Sequence, residues 1–229
     1  MNNRFKGWAD DYQIFENLID ENDKKIQIVI SDLVKDYIDK DDSTVFDAGC
    51  GTGNTAIGLL NVAPNLIITL NDFDSAMIDI AKDRLKSYRN CLFREGDVID
   101  VLQNEQNFDV LVTVLTIHNI AKDRRKELLK IVFDKLGENG LYINGDKMVD
   151  EKRVDEYTEK YNARIDHLAV LKGISRDDLC EKWTKHEKED FSNLDTIYEH
   201  MEELAEAGFV NIKLERQMGL YSIVSARKP

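Results

Sequence analysis

The amino-acid sequence predicts an α/β fold, a doubly wound sheet of about seven strands, parallel except for an antiparallel hairpin at its C-terminal edge. Three observations lead there. Short apolar, β-branched runs alternate with segments whose apolar residues recur every three or four positions, the pattern of successive βαβ units. A glycine-rich turn, Gly49-Cys50-Gly51-Thr52-Gly53, joins the first such run to the first helical segment after it. Two strand-like runs close the chain with a link too short for a crossover, so they must pair as a hairpin. Around this core, 44–149 and 194–229, the chain adds an N-terminal helical flap, 1–43, and a helical insertion after strand five, 150–193. Together these form one domain overall.

Each element has its own signal. Residues 24–38 place Ile26, Val29, Ile30, Leu33, Val34 and Tyr37 on one helical face. Ahead of them Phe5, Trp8, Tyr12, Ile14 and Phe15 crowd aromatic side chains into an acidic segment, which fits either an anchor for a terminal helix or a flap over a ligand. Residues 45–48 are strand one and 54–62 a helix stopped near Pro64. The continuous apolar run 66–70 is a buried strand, and Asp74 or Ser75 caps the helix carrying Met77, Ile78, Ala81 and Leu85. Strands follow at 91–93, 108–115 and 141–143, with a helical stripe of Leu128, Leu129, Val132, Phe133 and Leu136 before the last of these. From 150 to 193 the pattern becomes polar, charge-mixed helix. A helix over 194–207 is closed by Gly208, and strands at 209–214 and 221–226 end the chain.

Composition narrows the function classes. With 31 basic against 44 acidic residues the net charge is −13, which repels phosphate backbones unless a local basic patch overrides the average. The densest basic run is only Arg124-Arg125-Lys126, so nucleic-acid binding is disfavoured. No apolar run reaches the ~18 residues of a membrane span, and Met1-Asn2-Asn3-Arg4 opens no signal-like apolar region, so the expected location is cytoplasmic. The three cysteines, Cys50, Cys91 and Cys180, are too dispersed for a metal site or a disulfide framework. No metal is expected.

The glycine turn is the functional signal. A phosphate cradle needs Gly-Lys-Ser/Thr, but Asn54 follows Gly53. A dinucleotide site needs G-x-G-x-x-G, and here the third glycine comes one residue early. What remains is an acid, Asp47, leading G-x-G-x-G, with a second acid, Asp72, after the second strand.

These residues resemble the class I S-adenosylmethionine-dependent methyltransferases. Gly96-Asp97-Val98 is similar to that family's adenine-contacting turn, and 108–119 to its fourth strand and the loop beyond. Leu136-Gly137-Glu138-Asn139-Gly140 and Glu206-Ala207-Gly208-Phe209 are similar to its entries to strands five and six. The resemblance implies a Rossmann-like sheet and S-adenosyl-L-methionine as cofactor, with S-adenosyl-L-homocysteine as product. It implies that Asp47 receives the ammonium directly or through water, that Gly49, Cys50, Gly51 and Gly53 meet the carboxylate through the backbone, and that Asp72 takes the ribose hydroxyls. Asp97 and Val98 would meet the adenine. Phe73, Met77 and Leu115 complete the expected cofactor set, with Trp8 and Tyr12 closing the methionine end.

Methyl transfer needs an aligned nucleophile, exclusion of water and, in some cases, a base. His118, at the carboxyl end of strand four, is the candidate base or substrate contact, with Tyr12 second. A histidine hydrogen-bonded within its own loop fits the same position. By analogy the insertion covers the acceptor, offering Tyr157, Tyr161, Arg164, His167, Trp183 and His186. The expected enzyme is a methyltransferase acting on an O, N or S nucleophile of a small molecule, as a monomer or homodimer. The runner-up is a tRNA-modification enzyme or modified-cofactor synthase, for the sequence is also loosely similar to the carboxy-S-adenosylmethionine synthase subgroup. A non-catalytic S-adenosylmethionine-binding protein is the third reading.

Overall fold

The first described element, helix α1 (Glu21–Tyr37), lays Ile26, Ile30 and Val34, all fully buried, against the core. Two glycines let it approach: a Cβ on Gly58 would sit 2.8 Å from Ser31 Oγ, and one on Gly145 would meet Ile26 and Ile30 at 2.8 and 2.9 Å. The computed structural model describes residues 21–38, 40, 42–149, 154–178 and 193–229.

After α1 the chain runs β1 (Thr44–Ala48), α2 (Asn54–Val62), β2 (Ile67–Asp72), α3 (Ser75–Arg84), β3 (Cys91–Glu95), α4 (Val98–Gln103) and β4 (Phe108–Val114). A short 3-10 turn (Ile117–Asn119) leads to α5 (Lys122–Lys135), β5 (Leu136–Lys147), α6 (Val154–Lys172), α7 (Ile197–Ala207), β6 (Val210–Met218) and β7 (Tyr221–Arg227). One seven-stranded sheet results, in the order β3-β2-β1-β4-β5-β7-β6. The first five strands pair in parallel, and β7 is antiparallel to both β5 and β6. The doubly wound sheet with a C-terminal edge hairpin is therefore the observed architecture.

Alternate strand residues feed two cores, as a sheet covered on both faces requires. Val45, Ile68, Val110, Val112 and Ile143 pack with α1, α2 and α3, together with Ile165 and Leu168 of α6. Phe46, Leu111, Tyr142 and Val224 pack with α4, α5 and α7. Asp47 shares the parity of Val45 and so points into the first core. This is why a carboxylate is wholly buried there.

Several boundaries differ from the sequence expectation. Strand five begins at Leu136 rather than 141, because the turn containing Asn139 (φ 59°) is absorbed as an irregularity in its pairing with β4. Strand six runs on to Met218. It is an edge strand with register shifts, so its exposed Lys213, Leu214 and Arg216 obscure the alternation. Helix α7 starts at Ile197, behind a capping box in which Thr196 Oγ1 accepts from Glu199 N (3.1 Å) and Thr196 N donates to Glu199 Oε2 (2.7 Å).

Beyond β5 the chain leaves and re-enters at one point. Val149 N donates to the Asp195 carbonyl (2.8 Å), and Val149 bridges Thr196. The excursion is thus pinned at its root, and α6 fastens it to the first core.

Candidate active site

In open parallel sheets ligands bind beyond the carboxyl ends of the strands, where strand order reverses. Here the reversal lies between β1 and β4, and a cavity of about 480 Å³ opens there, in the range of small-molecule sites. The glycine turn forms one wall. Gly49 (φ 70°), Gly51 (φ 52°) and Gly53 (φ 85°) are all left-handed, a conformation open to glycine at little cost. A Cβ on Gly49 would collide with the Thr116 side chain, whose hydroxyl donates to the Ala48 carbonyl (3.0 Å). Gly51 has open space where its Cβ would be. Gly53 caps α2 without any side-chain bond, so the first N–H groups of that helix are left for a ligand.

Two acids flank the turn. Asp72 lines the cavity; its Oδ2 accepts from Gly51 N (2.8 Å) and its Oδ1 from Asp74 N (2.9 Å). Burial raises its pKa, with those backbone hydrogen bonds pulling the other way. Asp47 is fully buried, and among the described residues neither of its oxygens has a hydrogen-bond partner. Burial and then the charge of Asp72 push it up to about 7. A buried acceptor pair with nothing among the described residues to accept from calls for a further donor.

The far end is built from the loop before α4 and the start of α5. Asn71 Nδ2 donates to the Arg94 and Gly96 carbonyls (3.1 and 3.0 Å), fixing the approach to Asp97. Asp97 caps α4 through Ile99 N (3.0 Å) and forms a two-pronged ion pair with Arg124 (2.8 and 3.2 Å). Burial raises the Asp97 pKa, but the Arg124 hydrogen bonds and charge outweigh it and hold it below the usual value.

Behind the cavity lies a buried polar layer. His118 Nδ1 is 2.5 Å from Asp146 Oδ1, and Asp146 Oδ2 accepts from His118 N (3.2 Å). Burial opposes ionisation of Asp146, yet the charge and hydrogen bonds of His118 prevail and lower its pKa. Arg125, 1% exposed, pairs with Asp195 and donates to the Ile120, His118 and Asn193 carbonyls. Asn144 Nδ2 lies 3.0 Å from His200 Nε2, and burial lowers the His200 pKa to about 4, so a neutral ring is there to accept.

Sequence comparison adds the family. Residues 45–140 match the sequence model of a family described as "Methyltransferase domain". Over that stretch the chain is similar to methyltransferase domains. It is 27% identical to a carboxy-S-adenosyl-L-methionine synthase of Campylobacter curvus over 144 residues, 60% of this chain and 58% of that one. It is 28% identical to a malonyl-[acyl-carrier protein] O-methyltransferase of Bacillus anthracis over 143 residues, 62% of this chain and 51% of that one. An O-methyltransferase family protein from Burkholderia thailandensis shares the fold, with a TM-score of 0.62 at 14% identity, over 87% of this chain and 55% of that one. The chain thus spans between half and three-fifths of the length of these three proteins.

The residues present fit the family's cofactor, S-adenosylmethionine. Asp72 keeps acceptor capacity toward the cavity for a diol, and the orphaned Asp47 carboxylate, buried outside the lining, would meet an ammonium through an intervening donor such as water. Of the sequence-predicted methyltransferase residues, Gly49, Cys50, Gly51, Asp72, Phe73, Met77, Val98 and Leu115 line the one cavity. Asp47, Gly53 and Asp97 are not in its lining, although Asp97 is paired with Arg124, which is. Leu115 adopts φ 53°, an uncommon conformation for a branched side chain at the mouth of the site. His118 does not line this cavity. The 3-10 turn directs it into the polar layer, while its neighbours Thr116 and Asn119 face the cavity. His167 is exposed on α6. Trp8, Tyr12, Trp183 and His186 lie outside the described residues, as do the side chains of Tyr157, Tyr161 and Arg164.

Sequence reasoning missed Thr116, Asn119, Arg124 and Asn193 in the lining. Position after strand four could have raised Thr116 and Asn119. Asn193 has no local signal, because its bonds to the His118 and Ile120 carbonyls (2.7 and 3.1 Å) span more than seventy residues. The basic run also reads differently in space. Arg124 turns to Asp97, Arg125 inward to Asp195, and Lys126 outward to Glu206 (2.9 Å), so the three form no common patch. Among the described residues no group of His, Cys, Asp and Glu could hold a metal ion, and no helix is long and apolar enough to cross a membrane.

Proposed function

We propose that this chain transfers a methyl group from S-adenosylmethionine to an O, N or S nucleophile of a small molecule. The carrying observation is the Asp72 carboxylate, pinned by two backbone N–H groups beside an unobstructed glycine turn at the head of the cavity. When bound, the cofactor supplies a methyl carbon already activated by positive sulfur, so the protein has to position and dehydrate more than to activate. In this reading Asp72 orients the ribose end, the N-terminus of α2 receives the carboxylate, and Asp47 receives the ammonium. His118, paired with Asp146 in the buried layer behind the cavity, does not reach the nucleophile and instead positions the wall that Thr116 and Asn119 present to it. The charge of −13 and the dispersal of the basic run weigh toward a small acceptor rather than nucleic acid. Unpaired Cys50 and Cys91 fit a reducing, cytoplasmic setting.

Calorimetry with S-adenosylhomocysteine tests the donor half. The wild type binds, and Asp72→Ala weakens binding at least tenfold; unchanged affinity sinks the ribose assignment. A second reading, a modified-cofactor synthase, draws support from the match to the Campylobacter curvus synthase. Mass spectrometry separates the two: a methyltransferase leaves S-adenosylhomocysteine, whereas a synthase leaves a heavier cofactor. Absence of any turnover of labelled S-adenosylmethionine across an acceptor panel would favour a non-catalytic binding protein.

A further inference from the structure

A second cavity, of about 470 Å³, lies at the other end of the sheet, where β5 begins and β7 ends. Leu33 of α1 and residues of the paired strands β6 and β7 line it. We propose that this pocket binds a small, doubly charged oxyanion, a phosphate ester or a dicarboxylate, held between Arg227 and Lys213. The inference stands apart from the cofactor reading, because neither residue lines the first cavity.

Strand geometry and charge carry the argument. Lys213 pairs with Ser225, and Arg227 follows Ser225 by two residues, so the two cations share one face as diagonal neighbours about 7–8 Å apart. Like charges so placed repel. The chain has 44 acidic residues against 31 basic, yet among the described residues no carboxylate pairs with Arg227 or Lys213. Arg227 is nonetheless held in place. Its guanidinium carbon stacks 4.1 Å from the centre of the Tyr37 ring, and the Tyr37 hydroxyl donates to the Asn139 carbonyl (3.0 Å). Only Nη1 finds an acceptor, that same carbonyl at 3.5 Å, which leaves most of the five N–H donors unused. A stacked, planar fork of this kind is preorganised to meet two oxygens of one anion. The one acidic side chain in the lining, Glu215, accepts through Oε1 from the Ser225 hydroxyl. Lys228 donates to the Leu136 and Asp134 carbonyls (2.7 and 3.2 Å), so it adds positive potential while its hydrogens point to the backbone. Arg227 and Lys213 are thus the two uncompensated charges, and a dianion neutralises both.

The test titrates the full chain by calorimetry at constant ionic strength with inorganic phosphate and, separately, with malonate, at pH 8 where both are dianions. Saturable binding of at least one is expected, and the tighter of the two tells a phosphate ester from a dicarboxylate. Arg227→Gln, which removes the charge-assisted fork, should weaken that binding about tenfold or more. Lys213→Glu reverses the charge of an exposed side chain that has no partner in the fold, so it should abolish binding without disturbing stability. No saturable binding of either anion to the wild type overturns the proposal. So does an affinity that either variant leaves unchanged, which would put the anion elsewhere, at the N-terminus of α2 for instance. If Arg227 serves only to stack on Tyr37, its replacement lowers stability in urea while Lys213→Glu leaves the anion affinity unmoved, and the proposal falls. Should Arg227→Gln not fold, the Lys213→Glu titration decides alone.

Discussion

Replacing Asp47 by Asn should stabilise the ligand-free protein and weaken its grip on the cofactor, two effects that packing alone would not couple. The carboxyl titrates at about 7 in the fold against 3.8 in the free side chain, a shift of roughly three units at ~1.4 kcal/mol each. Raised acids destabilise the fold. Below pH 3.8 both states carry the proton and there is no penalty. Between pH 3.8 and about 7 the unfolded chain ionises first and the penalty grows, and above about 7 it stays near ~4 kcal/mol. The asparagine removes this but brings an amide into a place that offered the carboxylate no partner, at about 1–3 kcal/mol. The net expectation at pH 8 is a gain of roughly 1–3 kcal/mol in urea unfolding, shrinking and then reversing as pH falls toward 4. Binding should move the other way. A hydrogen bond to a charged group is worth about 1.5–3 kcal/mol, so S-adenosylhomocysteine should bind about 10- to 100-fold more weakly to Asp47→Asn at pH 8. A variant less stable than wild type at pH 8, or one that binds S-adenosylhomocysteine unchanged, would refute the assignment of an unsatisfied charge awaiting its ligand.

Two further outcomes bear on the polar layer. Asp195→Asn breaks the pair with the 1%-exposed Arg125, so it should cost about 3–5 kcal/mol by denaturant unfolding; a loss under 1 kcal/mol would mean that the three carbonyl acceptors satisfy the guanidinium alone. His118→Ala should lower the turnover number more than it weakens S-adenosylhomocysteine binding, and an equal loss in both would assign the His118–Asp146 pair to folding.

The donor half of the site was legible in the sequence because its physics is local. Three glycines forced into left-handed turns and acids at the ends of two adjacent strands leave their mark within some 25 residues. The parallel order was legible for the same reason, since each βαβ unit is written consecutively. What could not be read is whatever closes over long separations. Arg125 and Asp195 meet from positions 70 apart, and nothing near either residue names the other. His118 was singled out for its chemistry and its place after strand four. Its direction, however, is set by Asp146 on the next strand and by a 3-10 turn that the periodicity does not announce.

The same contrast bears on how the site is held. The glycine wall is positioned largely by backbone, with Cys50 N donating to the Asn71 carbonyl (2.8 Å) and Gly53 N to the Cys50 carbonyl (2.9 Å), and is braced by Asp72 at Gly51 N and by Arg84 at the Thr52 carbonyl (2.8 and 2.7 Å). The opposite wall, from Thr116 to Arg124, is positioned by side chains. Arg125 and Asn193 hold the His118 and Ile120 carbonyls, and both reach back to the point where the insertion rejoins the core. A donor must be held the same way whatever the acceptor, which suits a wall fixed by main-chain bonds. An acceptor site has to be respecified by substitution, which suits a wall fixed by side chains and tied to the insertion. On the proposed reading, this division of labour puts acceptor choice in the stretch from Leu115 to Ala121 and in the returning segment at Asn193, where acceptor-shifting substitutions should be sought.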